Sequence, residues 1–96
     1  VPRGSGTVLT GGAIPARKRS VVLSLTRLTK VGPVDVENRS IALQAWVITV
    51  DAAQSSAKSY LLFTIDPASK TASSTGGDTA ENAGGPLCFY FERGYG

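Results

Sequence analysis

Four segments of the chain carry the apolar and polar alternation that is typical of β-strands. Ser20–Leu28 alternates with a period of two, which separates its apolar and polar side chains onto opposite faces. Ile41–Val50 is apolar on both faces and predicts a central strand that is covered on both sides. Ser59–Asp66 and Leu87–Glu92 each place three large apolar side chains in register, which also predicts strands.

Shorter segments and strong breakers complete this pattern. Thr7–Thr10 and Val34–Asn38 are weaker strand candidates, and glycines and prolines separate all of these segments. A helix is expected only as a short turn around Asp51–Ala57, and a turn joining two antiparallel strands fits that segment equally well. The pattern therefore predicts an all-β fold, a small antiparallel β-sandwich or barrel of about five to seven strands.

The N-terminal residues differ from the remainder of the chain and affect the predicted domain boundaries. Val1–Ser5 resembles the remnant of a thrombin-cleavable tag, so residues 1–6 are predicted to be a tag remnant or linker. Residues 7–96 are predicted to form a single β domain, which the chain length also favours. The sequence contains no Met, which suggests a domain cut from a longer chain. No apolar run is long enough for a membrane span, so membrane insertion is not expected.

Pro67–Pro86 is composed almost entirely of Ala, Ser, Thr and Gly, and it contains no large apolar side chain. A structureless connection of this length is uncommon in a small domain and is usually functional or mobile. Two interpretations stay open, a loop that faces a ligand or partner and a tolerated surface excursion.

Residues for familiar chemistries are missing or isolated. The chain has no His, which excludes triads with a histidine base, and its lone Cys88 predicts a small buried side chain in a strand. Ser55 and Lys58 match S-x-x-K without its companion motifs. Asp78 and Glu81 lack the calcium-loop pattern, and the glycine-rich pieces lack the Lys of a phosphate loop. We therefore expect no catalytic residue, no metal site and no cofactor, and a protein that is not an enzyme.

The net charge of +3 is distributed unevenly, since all acidic residues follow Val34. Arg17, Lys18 and Arg19 form the densest basic cluster, a candidate contact for phosphate or another anion. A solvated loop that discourages strand-edge pairing is the alternative. Because basic and stacking aromatic residues do not interleave in the strands, nucleic-acid binding is not expected.

Four aromatic residues lie on the less obviously buried faces of the predicted strands or near the C-terminus. Exposed together, they would form a patch for binding a protein or a sugar, and a second core face is the alternative. These candidate partner-binding residues are Trp46, Tyr60, Tyr90 and Tyr95.

A β domain rich in Ser, Thr, Ala and Gly, without His, Met or a disulfide, resembles the protruding domains of small icosahedral virus coat proteins. The resemblance implies a non-enzymatic domain on a virion surface that self-associates as a dimer or trimer and attaches to a host protein or glycan receptor. A carbohydrate- or protein-binding β-sandwich of a larger secreted or surface protein is the first alternative. A small nucleic-acid-binding barrel is the second. The location expected is the virion surface or the extracellular space.

Overall fold

The computed structural model of the protein describes residues 1–91, and this range contains both strands and helices. The strands in this range are β1 (Pro2–Arg3), β2 (Leu23–Ser24), β3 (Val31–Asp35) and β4 (Ser40–Leu43). The helices are α1 (Thr49–Ala57), α2 (Thr75–Glu81) and α3 (Cys88–Phe91). The predicted all-β sandwich or barrel is therefore wrong, because the described strands form only two separate two-stranded sheets.

The first sheet joins the N-terminus to the middle of the predicted strand Ser20–Leu28. β1 and β2 are parallel, with Pro2 opposite Leu23. The N-terminal ammonium group donates a hydrogen bond of 2.7 Å to the Val21 carbonyl, which extends the pairing beyond the ladder. Only two residues of Ser20–Leu28 form a strand, and residues 1–3 are structured by this contact.

The second sheet is an antiparallel hairpin formed by β3 and β4. Its turn is stabilised by Asp35, whose carboxylate accepts hydrogen bonds from the Asn38 backbone N–H at 3.0 Å and from the Asn38 side-chain amide at 2.8 Å. These bonds lower the pKa of the Asp35 carboxyl group from its ordinary value, the backbone bond most of all, because they favour the charged form. Of the weak candidate Val34–Asn38, only the first two residues lie in a strand.

Helix α1 contains the helical turn that was expected around Asp51–Ala57 and begins two residues earlier. Its buried face consists of Thr49, Ala52 and Ser56, which recur at helical spacing but are small or polar. The first N–H groups of the helix, at Thr49 and Val50, donate to the carbonyls of residues 73 and 70, at 3.0 Å each. These bonds satisfy donors that a helix start otherwise leaves unpaired.

Helix α2 lies inside Pro67–Pro86, the segment whose composition suggested a structureless connection. Its first N–H groups donate to a turn of the preceding chain, from Thr75 to Val47 at 2.8 Å and from Gly76 to Ala45 at 3.0 Å. The helix ends at Glu81, and the next residue, Asn82, adopts the left-handed conformation with φ 54°. Tertiary hydrogen bonds thus support a helix that the glycine-rich sequence did not predict.

The predicted strand Ile41–Val50 is wrong beyond Leu43. The backbone turns at residues 45–46, where the Ala45 carbonyl faces the start of α2, and α1 begins at Thr49. The carbonyls of the turn therefore accept hydrogen bonds from the start of α2 rather than from a neighbouring strand.

The predicted strand Leu87–Glu92 is wrong over its described residues, because Cys88–Phe91 forms the short helix α3. Pro86 precedes this helix, and its carbonyl accepts a hydrogen bond of 3.3 Å from the Phe89 N–H. A proline just before a helical turn is compatible with helix initiation. Cys88 is half-buried at the start of this helix and not in a strand.

The predicted strand Ser59–Asp66 is wrong as a strand, although part of its alternation is preserved. Leu61, Phe63 and Ile65 are more buried than Leu62, which is 65% exposed, but no described residue forms a ladder with this segment. Thr7–Thr10 also contains no strand. The alternating pattern of Ser59–Asp66 therefore corresponds to a half-buried segment that has no hydrogen-bonded neighbouring strand among the described residues.

The buried interior of the described chain is unusually polar. Its buried hydrophobic residues are Val47, Ala52 and Ile65. The buried polar residues are Thr49, Ser56, Ser73, Ser74, Thr75 and Asp78. Buried polar groups require hydrogen-bond partners, so the packing of α1 against α2 depends on polar contacts as well as on apolar area. None of the helices in residues 1–91 combines the length and apolar character that crossing a membrane requires.

Candidate functional site

The best candidate site is a cavity of about 760 Å³, called the cleft, between two segments that are far apart in sequence. One wall comes from residues 2–13, which include the glycine-rich loop (residues 4–12). The other wall comes from residues 67–83, which include α2. Small-molecule sites in proteins commonly have volumes of about 300–1,000 Å³, so the cleft is of suitable size.

The glycine-rich loop approaches the opposite wall closely because Gly4 has no side chain. A Cβ atom at this position would collide with Ser74 Oγ and would lie 3.8 Å from the backbone nitrogen of Gly77. Gly6 has φ +75°, a conformation that L side chains rarely adopt. Gly4 therefore lets the loop backbone lie directly against Ser74, and Gly6 supplies the positive φ of the loop.

Two hydrogen bonds connect the glycine-rich loop to the opposite wall. The Ser5 N–H donates to Ser74 Oγ at 3.4 Å. Near the other end of the loop, Thr10 Oγ1 donates to Glu81 Oε2 at 3.2 Å. The position of the loop is therefore coupled to the position of α2 and of the residue that precedes it.

The side chain of Ser5 provides a chemical clue to the contents of the cleft. Its Oγ atom is buried and is the one such side-chain atom in the described residues that lacks a hydrogen-bond partner. A buried hydroxyl without a partner costs about 1–3 kcal/mol. Because Ser5 lines the cleft, a bound molecule with acceptor oxygens would satisfy this group.

Within the cleft wall, Asp78 joins α2 to α1 through hydroxyl groups. Ser73 Oγ donates to Asp78 Oδ2 at 2.9 Å, and Thr49 Oγ1 donates to the same oxygen. The two hydroxyl oxygens lie 3.0 Å apart. Asp78 is 3% exposed, so the carboxylate replaces lost hydration with these bonds.

The ionisable side chains that line the cleft are carboxylates. Asp78 and Glu81 belong to its lining, whereas no Lys or Arg among the described residues does. The guanidinium of Arg3 lies beside the glycine-rich loop, with Nη2 3.0 Å from the position that a Cβ of Gly6 would take. Arg3 does not itself line the cleft, but it provides a positive charge beside the glycine-rich loop. No group of three or more His, Cys, Asp or Glu residues in the described chain could hold a metal ion.

The aromatic residues predicted to bind a partner are not all placed in one cavity. Tyr90 lines a second groove of about 930 Å³ between the β3–β4 turn and residues 61–65. Tyr60 is fully exposed and Trp46 is half-buried, and neither lines this groove or the cleft. Tyr95 lies outside the described residues. Their role in partner binding stays a prediction.

The predicted basic cluster is exposed and belongs to neither cavity. Arg17, Lys18 and Arg19 lie in a turn, where Ser20 Oγ donates to the Arg17 carbonyl at 2.5 Å. Anion binding by these residues also stays a prediction.

The residues of the cleft were largely missed because glycine and proline were interpreted as structural breakers. Two signals could have identified it. Val1–Ser5 continues directly into a glycine-rich stretch, and a ligand-facing loop was one of the two interpretations of the bland segment Pro67–Pro86. The structure brings these two segments together as the walls of the cleft.

Comparison with known proteins gives a consistent result. A family model described as an FAD binding domain matches residues 1–93. The chain is 37% identical over 91 residues to the glycolate oxidase subunit GlcD of Escherichia coli strain K12, covering 95% of this chain and 18% of that protein. It is 38% identical over 85 residues to the Bacillus subtilis strain 168 subunit of the same name, covering 88% of this chain and 18% of that protein.

A relative with a different name also matches. The chain is 40% identical over 84 residues to a D-lactate dehydrogenase of Anaerostipes hadrus, covering 88% of this chain and 17% of that protein. The chain thus spans less than a fifth of the length of these curated relatives. No solved structure matches it significantly.

These matches overturn the functional expectations from the sequence pattern. The resemblance to protruding domains of virus coat proteins is wrong, and so are the alternatives of a binding module and a nucleic-acid-binding barrel. The matching family is an FAD binding domain, and the relatives are named as an oxidase subunit and a dehydrogenase. The expectation that the protein is not an enzyme is wrong for the same reason. The family model matches from residue 1, and the expected division into a tag remnant or linker at residues 1–6 and a domain at residues 7–96 stays a prediction.

Other expectations are not tested by these observations. The origin from a longer chain, the self-association and the protein or glycan receptor stay predictions. So do the absence of nucleic-acid binding, the absence of membrane insertion and the location on a virion surface or outside the cell.

Proposed function

The chain belongs to the FAD binding domain family, and on that premise we propose that its cleft binds part of FAD within an FAD-dependent oxidoreductase. The observation that carries this proposal is the position of the unpartnered Ser5 hydroxyl in a cleft walled by the glycine-rich loop. FAD contains a diphosphate and several hydroxyl groups, all of which accept hydrogen bonds. The cleft offers both a hydroxyl donor and closely approaching backbone.

The residues present fit this cofactor in three respects. Gly4 allows the loop backbone to lie directly against Ser74, and Gly6 supplies the positive φ of the loop. Arg3 supplies a guanidinium next to the loop, and guanidinium groups bind phosphate through paired hydrogen bonds. Pro2 and Val8 add apolar lining, which suits the ring systems of a dinucleotide. These residues would hold the cofactor, and FAD would supply the oxidant that accepts two electrons from a substrate.

The names of the relatives narrow the substrate class of the proposed enzyme. They include glycolate oxidase subunits, a D-lactate dehydrogenase and a D-2-hydroxyglutarate dehydrogenase. Each named substrate is a 2-hydroxy acid, which carries its hydroxyl group on the carbon next to a carboxylate. We therefore propose that the oxidoreductase containing this chain oxidises a 2-hydroxy acid. No described residue is assigned to that substrate.

Titration of the chain with FAD, followed by flavin fluorescence, tests the proposal. Wild-type protein is expected to show saturable binding at one site. Ser5→Ala removes the unpartnered hydroxyl and is expected to weaken binding about fivefold, because a hydrogen bond contributes on the order of 1 kcal/mol. Ser20→Ala is the matched control, since this exposed serine lies outside the cleft. Absence of saturable binding by the wild type would contradict the proposal.

A further inference from the structure

Asp78 is a buried carboxylate that is neutralised by no described cation. It is 3% exposed, and none of the lysines and arginines in residues 1–91 forms an ion pair with it. A buried charge is stable only when other groups replace its hydration. Here the replacement comes from the hydroxyls of Thr49 and Ser73, both of which donate to Asp78 Oδ2. Asp78 therefore holds together three segments: the start of α1, the residues before α2, and α2 itself.

A short series of contacts connects this carboxylate to the glycine-rich loop. The Asp78 N–H donates to the Ser74 carbonyl at 2.9 Å, and Ser73 Oγ donates to the Asp78 side chain at 2.9 Å. The Asp78 carboxylate thereby holds Ser73, and the first of these two bonds, which is between backbone atoms, holds the adjacent Ser74 at the start of α2. Ser74 Oγ in turn accepts the hydrogen bond from the Ser5 N–H and faces the α-carbon of Gly4. The conformation of residues 73–74 thus determines where the loop can lie.

From these contacts we infer that Asp78 is a positioning residue for the cofactor site. Its carboxylate holds Ser73 and Thr49, and through Ser73 it fixes the adjacent Ser74, which holds the glycine-rich loop at the distance that the cleft requires. The role is geometric: an accepting oxygen at the Oδ2 position is needed, and the negative charge is not. This inference rests on the proposed function for its effect on FAD, but its effect on the loop can be measured without any cofactor.

The experiment compares Asp78→Ala with Asp78→Asn in the full 96-residue chain. Asn keeps the shape and one accepting oxygen but removes the charge, whereas Ala removes both. We expect Asp78→Ala to weaken FAD binding at least tenfold, which corresponds to about 1.4 kcal/mol, and Asp78→Asn to stay within about threefold of wild type. Asp51→Ala is the matched control, because Asp51 is an exposed carboxylate on α1.

The second measurement is the amide chemical shift of Ser5 by NMR in the protein without FAD. Asp78→Ala is expected to move this signal, and Asp78→Asn is expected to leave it at its wild-type position. Ser73→Ala removes a single hydroxyl and is expected to move the same signal in the same direction. It provides the comparison if Asp78→Ala does not fold.

The outcomes separate the two proposals. If the wild type does not bind FAD, the proposed function fails, and the Ser5 signal still tests the role of Asp78. If the Ser5 signal is unchanged in the folded Ala variants, the positioning role is overturned whether or not FAD binds. If Asn and Ala variants lose FAD affinity equally, the charge rather than the geometry is required, and the inference is also overturned.

Discussion

Gly76→Ala tests whether α2 depends on close contact with the preceding turn. A Cβ atom at Gly76 would lie 2.7 Å from Ala45 Cβ, 2.9 Å from the Ala45 carbonyl oxygen and 3.0 Å from Ala45 Cα. Two of these atoms are backbone, which cannot rotate away as a side chain can. The helix must therefore move, and the 3.0 Å hydrogen bond from the Gly76 N–H to the Ala45 carbonyl is strained or lost.

The expected loss of stability follows from three contributions. Overpacking a buried contact costs about 1–3 kcal/mol. Loss of the hydrogen bond from Gly76 costs about 1 kcal/mol. Replacing Gly by Ala inside a helix returns about 1 kcal/mol, because Ala has less conformational freedom to lose. The net expectation is a decrease of about 1–3 kcal/mol in the free energy of unfolding, or roughly 5–20 °C in Tm for a chain of this size.

Thermal unfolding followed by far-ultraviolet circular dichroism measures this decrease. Gly77→Ala is the matched control, since a Cβ there would meet only one side-chain atom, Ser74 Oγ at 3.2 Å, and no backbone atom. The control is expected to be as stable as wild type or more stable. A Gly76→Ala protein with unchanged or increased Tm would refute the close packing of α2 against Ala45.

Three further predictions concern other parts of the molecule. Gly85→Ala should lower Tm more than Gly76→Ala, as measured by the same unfolding assay, because its Cβ would collide with the Asp66 backbone and its φ is +76°; equal Tm values would contradict this contact. Arg3→Gln should weaken FAD binding, and the difference from wild type should shrink as salt is added to the titration, since charge attraction is screened; a salt-independent difference would argue against an ionic role. NMR titration should give Asp35 a pKa below its ordinary value of 3.8, and Asn38→Ala should raise it; the stability from this interaction is therefore present above pH 3.8 and is lost as pH falls through the lowered pKa. Because Ala keeps the backbone N–H, an unchanged Asp35 pKa in the Asn38 variant would show that the side-chain hydrogen bond does not contribute to the shift.

The elements that could be predicted from the sequence were those with a local signal. The helical turn at Asp51–Ala57 was recognised as one of two alternatives, and the inward positions of Leu61, Phe63 and Ile65 followed from alternation. The structure of both segments nevertheless depends on the other parts of the chain that they contact. The segment around Phe63 has a strand-like pattern, but strand formation requires a neighbour, which no pattern within one segment reveals.

The polar interior explains why α1 and α2 were difficult to predict. The buried face of α1 consists of Thr49, Ala52 and Ser56, so hydrophobic periodicity gives little signal. Gly76 and Gly77 oppose helix formation in isolation. They are accommodated in α2 because Gly76 can approach Ala45 closely, a contact made across 31 residues of sequence.

The cleft was missed because its two walls were interpreted separately. Val1–Ser5 has the sequence of a protease site, and this similarity predicts a tag remnant rather than one wall of a ligand site. Pro67–Pro86 was kept as a candidate ligand-facing loop, but no ligand class followed from its composition. A cofactor site formed by two distant loops depends on their approach in space, which single-sequence motifs describe poorly.

The most direct test of the cleft as a cofactor site is to map FAD binding residue by residue, using amide NMR signals of the labelled chain during a titration. We predict that signals from residues 4–12 and 74–83 move together and saturate, while those from residues 38–41 and 61–65, which line the second groove, stay unchanged. Signals that move only around the second groove, or no saturable change anywhere, would contradict the assignment of the cleft as the cofactor site.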